Sequence, residues 1–229
     1  MLRNSTQHVC LNGLAVRANA TSRLCVVGLV LVAAASGSGA PKGAPAAVDV
    51  YLNDRDDSAE LLGPGTPLAS AIFKKIGVRL NWHTGELPPG PGAFGIRTVE
   101  HAPGSATSEA LASARLSGSS GAEITVYMDR VRRLIAKHPD LAGAAAGYVL
   151  AHELAHAMQG AARHSASGIL KVQWSLGDYK DMMFHKLAFT DSDVELIHKG
   201  LALQLANRRS ELAVEAGSGS PAVRNLATR

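Results

Sequence analysis

Cysteine is almost absent from this chain. Its only two, Cys10 and Cys25, fall in the first 25 of 229 residues. Beyond them no thiol can staple a fold, ligate a metal or act as a nucleophile. Aromatic residues are scarce too, at 4%, so aliphatic and small side chains must fill the core, and abundant Ala points to closely packed helices. A long hydrophobic span is missing. The densest apolar run, Leu24 to Ala35, is about half of the roughly 20 residues a transmembrane helix needs, which argues against a stable membrane anchor. Finally, there is little excess charge. The formal net charge is +4, but Arg3, Arg17 and Arg23 lie in residues 1–40, which hold no acidic residue. Elsewhere 20 basic residues face 19 acidic ones, and a nucleic-acid partner would need a basic face.

What is present divides the chain. Arg17 and Arg23, the apolar run and the small residues through Ala40 are the parts of a secretory signal. Residues 1–40 are therefore expected to be a signal peptide of a secreted or periplasmic protein. Residues 41–46 continue a Gly/Ala/Pro-rich linker, 47–215 form one domain, and 216–229 form a Gly/Ser/Pro-rich tail. A cytoplasmic chain that keeps its first residues is the alternative. Within the domain, strands are expected at 47–52, 78–82, 93–100 and 124–129. Helices are expected at 67–76, 108–116, 130–137, 141–159 and 175–183, and from Thr190 or Asp191 to about 214. Strands come first and helices later, an α+β order. It suggests a small twisted mixed sheet packed on one long helix, followed by C-terminal helices.

The long helix carries the chemistry. Its segment 149–158 reads VLAHELAHAM, which contains HExxH. Residues i and i+4 share a helix face, so His152 and His156 can direct two imidazoles at one ion, about 2 Å from each ring nitrogen for zinc. Glu153 projects beside that ion, where a carboxylate can accept a proton from water and return it to a leaving group. The flanking residues are uncharged and mostly apolar, as a buried site helix requires. Burying Glu153 with no role would cost several kcal/mol. A catalytic zinc usually has three protein ligands. His164 is one candidate, because Gly160 can end the helix and let the chain fold back. The downstream carboxylates Asp178, Asp181, Asp191, Asp193 and Glu195 are the others. Trp174 is expected to be core beneath the site.

The segment HELAHAMQGAARH resembles the metzincin zinc metallopeptidases, whose signature is HExxHxxGxxH followed by a Met-containing turn. His152, Glu153 and His156 match in place. Gly160 comes one residue late, His164 two residues late, and Leu170 stands where the Met is expected. The resemblance implies a zincin-like fold, a bound Zn2+, and a peptide or protein substrate paired along an edge strand, for which Ile124 to Asp129 is the candidate. It also implies a group that stabilises the oxyanion, for which Tyr179 is favoured over His185 and Arg163. The function expected is an exported zinc metallopeptidase with Glu153 as general base. The alternative is a non-catalytic zinc- or partner-binding protein on the same scaffold, suggested by the missing Met and the small size. The sequence leaves the oligomeric state open.

Overall fold

The computed structural model describes residues 46–53, 62–87, 92–106, 110–117 and 121–218. The expected signal peptide and most of the linker and tail lie outside them. Five strands form one sheet: β1 (Ala46–Asn53), β2 (Val78–Thr84), β3 (Ala93–Val99), β4 (Ala112–Ser117) and β5 (Gly121–Tyr127). The helices are α1 (Gly65–Lys75), α2 (Met128–Lys137), α3 (Ala142–Gln159), α4 (Leu176–Met183) and α5 (Asp191–Ser218), with a 3-10 turn at Pro139–Leu141 before α3. The sheet order is β2-β1-β3-β5-β4. All neighbours are parallel except β4, which runs antiparallel to β5. This is the mixed α+β architecture the element order suggested.

Strand alternation decides which face of the sheet is apolar. Val48, Val50, Leu80, Phe94, Ile96, Ala112, Ala114, Ile124 and Val126 share one face through the strand register and are buried. Asp49, Asn81, Arg97, Arg115 and Glu123 lie on the other. The apolar face receives α3, which is buried at every residue from Ala144 to Met158. A helix with apolar residues on all sides belongs inside a protein, here with the three polar residues of the motif among them, and the run of Ala lets its neighbours approach. One close approach is where α1 crosses α3. A Cβ on Gly147 would lie 2.8 Å from the Leu68 side chain, and one on Gly65 would lie 2.6 Å from the Gly147 nitrogen.

Two expectations are corrected. Residues 112–117 form strand β4, not part of a helix over 108–116; of that span, 108 and 109 lie outside the described residues. Ala and Leu favour helix, but Ala112 and Ala114 alternate with Ser113 and Arg115, and pairing with β5 overrides the local preference. The second correction concerns the edge strand. Residues 124–127 belong to β5, which is hydrogen-bonded on both sides by β3 and β4, and Asp129 is already in α2. The β4–β5 hairpin puts β4 outermost, so the free edge at this end of the sheet is β4.

Candidate metal centre

Helix α3 sets two of the three imidazoles. One helical turn separates His152 from His156, and their Nε2 atoms stand 3.0 Å apart. Both residues are buried, as is Glu153 between them. Gly160 then ends the helix in a left-handed conformation, φ 68°, which favours glycine. The chain turns back and brings His164 to the pair. Its ring centroid lies 5.5 Å from that of His152 and 4.8 Å from that of His156. One ligand-capable nitrogen from each of the three lies within 4.8 Å of the others.

The hydrogen bonds specify which nitrogens face inward. His152 Nδ1 is 2.8 Å from the Ile169 carbonyl oxygen, and His156 Nδ1 is 3.2 Å from that of Ala161. A carbonyl oxygen only accepts, so each Nδ1 carries the proton and donates it. Each neutral ring then presents a bare lone pair at Nε2. Burial, reinforced by the charge of His156, lowers the pKa of His152 well below its usual value. Burial and His164 pull His156 down to about 3, and burial also lowers His164. The rings are therefore neutral near pH 7, the form that binds metal. Two lone pairs facing each other at 3.0 Å repel, and a cation between them reverses the sign. Nitrogens around tetrahedral zinc, at about 2.0–2.1 Å from it, lie roughly 3.3 Å apart. The Nε2 atom of His164 is buried with no hydrogen-bond partner among the described residues. The three imidazoles fit a zinc ion.

Glu153 completes the set. Both of its carboxylate oxygens are buried without a hydrogen-bond partner among the described residues, and burial pushes its pKa up to about 8. Trp174 packs edge-on to His152 at 5.7 Å and donates its indole N–H to the Ile169 carbonyl at 3.2 Å. That oxygen is thus held by two donors. Leu170, in the expected place of the Met, is fully buried.

The alternative carboxylates are engaged elsewhere or exposed. Asp178 accepts from Lys171 and caps α4 through Ser175. Asp193 is bound by Ser165 and Thr190. Asp181, Asp191 and Glu195 are exposed. None of the five belongs to a metal-capable group among the described residues. Tyr179 lies with its ring on His138, centroids 4.4 Å apart. His138 precedes α3, and the helix rises about 15 Å from Ala142 to His152 at 1.5 Å per residue. Arg163 is half-exposed and faces Asp193 at 3.6 Å, and His185 is exposed. Sequence reasoning missed the two carbonyls that orient His152 and His156, because any residue type can supply a carbonyl.

No protein-family model and no curated protein matches this chain. Among solved structures, archaemetzincin from Methanopyrus kandleri is similar, with a TM-score of 0.42 and 19% sequence identity over 71% of this chain and 98% of that one.

Proposed function

We propose that the chain is an exported zinc metallopeptidase acting on peptide or protein substrates. The observation that carries this reading is the convergence of three neutral imidazoles beside a buried carboxyl group that has no hydrogen-bond partner among the described residues. His152, His156 and His164 would hold the ion. Zinc, when bound, lowers the pKa of water and polarises a carbonyl oxygen. Burial by itself favours the protonated acid, and a cation held beside Glu153 would favour the carboxylate, the form that takes a proton from the attacking water and delivers it to the departing amine. General acid–base transfer of this kind contributes about 10²–10⁴-fold. Tyr179, whose ring is packed on His138, takes no part in this step. Glu153→Gln keeps the shape of the site and removes the base. The variant is expected to bind zinc stoichiometrically and to lose hydrolysis of a peptide library by at least 10²-fold. Retained hydrolysis would reject the mechanism.

Export rests on the composition of residues 1–40. Mass spectrometry of the chain recovered from its producing cell should show a start near residue 36 or 41. A chain that keeps Met1 would reject export.

One observation favours a second reading, a zinc-binding scaffold without turnover. His152 and Glu153 are 0% exposed, and a substrate must reach the carboxylate to be cleaved. If the zinc-loaded wild-type chain cuts no peptide in the library, this reading replaces the first.

A further inference from the structure

Apart from Thr125, the buried polar or charged residues among those described are His152, Glu153, His156 and Asp193. Asp193 is the one outside the histidine motif. It lies in the first turn of α5, and its carboxylate is 0% exposed. One oxygen, Oδ2, accepts the Thr190 N–H at 3.1 Å, and the Asp193 N–H donates to Thr190 Oγ1 at 3.2 Å. That reciprocal pair caps the helix, and capping needs no more than this oxygen. The other, Oδ1, accepts from Ser165 Oγ and faces Arg163 Nη1 at 3.6 Å. Arg163 and Ser165 are the residues on either side of His164.

We infer that Asp193 is a positioning residue for the metal centre, holding the His164 imidazole in place through its two chain neighbours. The inference rests on reading the three histidines as metal ligands. The loop that Asp193 ties down also closes on itself. Ser165 N–H donates to the Leu170 carbonyl at 2.8 Å, and Ile169 N–H donates to the Ala188 carbonyl at 3.0 Å. The Ile169 carbonyl is the acceptor for His152 Nδ1. Asp193 therefore anchors, from α5, a loop that supplies one ligand and orients another. A buried carboxylate that loses its donors is expensive, which makes this tie stiff. Partners that orient ligands typically change metal affinity by about 10–100-fold when removed.

The test is zinc affinity, measured on the metal-free chain by competition with a chromophoric chelator, with circular dichroism and thermal melting of the same samples as the check on folding. Asp193→Ala is expected to weaken zinc binding about 10–100-fold, and Asp193→Asn, which keeps one acceptor oxygen but sets an N–H donor where the second oxygen was, to recover only part of that loss. His164→Ala should itself weaken binding, and adding Asp193→Ala to it should weaken it much less than in the wild-type chain, by no more than the loop's hold on His152 contributes. A purely structural role for Asp193 would not show that dependence on His164. Unchanged affinity in Asp193→Ala, or an equal loss with and without His164, overturns the inference. If Asp193→Ala does not fold, Ser165→Ala releases the loop and leaves the α5 cap intact. It is then expected to weaken zinc binding roughly 10-fold, and unchanged affinity overturns the inference. A wild-type chain that binds no zinc would instead overturn the metal-centre reading on which this one rests.

Discussion

At the residue scale, the chain's polar interior is decided by who can donate. The Ile169 and Ala161 carbonyls force the protons of His152 and His156 onto Nδ1, and that leaves both Nε2 lone pairs directed inward. A similar economy appears at Asp178. Its carboxylate accepts from Lys171, from the Ser175 N–H at 2.6 Å and from the Ser175 hydroxyl at 2.6 Å. Burial works to raise its pKa, but the hydrogen bonds from Lys171 and Ser175 outweigh it and hold the group below the usual carboxylate value. A carboxyl depressed in the folded state stabilises fully above its unfolded pKa, and the contribution fades as pH falls through the folded value. Asp178→Ala should therefore lower stability by about 1 kcal/mol at pH 7. In urea unfolding, the gap from wild type should narrow below about pH 4. A gap that widens in acid would contradict the assignment. His152, Glu153 and His156 were legible because helical spacing alone brings them together. His164 was legible as one candidate among several, from the break at Gly160. Asp193 was legible only as one possible ligand, because its tie to Arg163 and Ser165 spans some 30 residues and depends on where α5 docks.

At the element scale, burial patterns tell more than propensity. The run 144–158 is uncharged and mostly small or apolar apart from His152, Glu153 and His156, and it is buried throughout, so its place as the central helix follows from composition. Strand β4 was illegible for the opposite reason. Its Ala and Leu residues favour helix, and only the partner strand makes them extended. The free edge followed from the same omission, since β5 is an inner strand only if β4 exists. The crossing of α1 and α3 gives a prediction with a reversed sign. Replacing a helical Gly by Ala normally stabilises by about 0.5–1 kcal/mol. At Gly147 the new methyl would meet Leu68 at 2.8 Å, a contact that forces the helices apart. Gly147→Ala is expected to destabilise by roughly 1–3 kcal/mol, read as a lower urea midpoint. A higher midpoint would show that the crossing has slack.

At the scale of the whole molecule, the sheet and α1 form a platform for α3, while the chain after Gly160 folds back over the same helix. The three imidazoles join those two parts. Two come from the central helix, and the third comes from a segment tied to α5. An ion shared among them would fasten the C-terminal part to the core, so that metal binding and tertiary structure become one equilibrium. X-ray absorption at the zinc edge of the purified chain tests this most directly. The account predicts one zinc per chain with three imidazole nitrogens at about 2.0–2.1 Å, falling to two in His164→Ala. A zinc shell with fewer than three imidazoles in the wild-type chain, or a shell unchanged by His164→Ala, would contradict it.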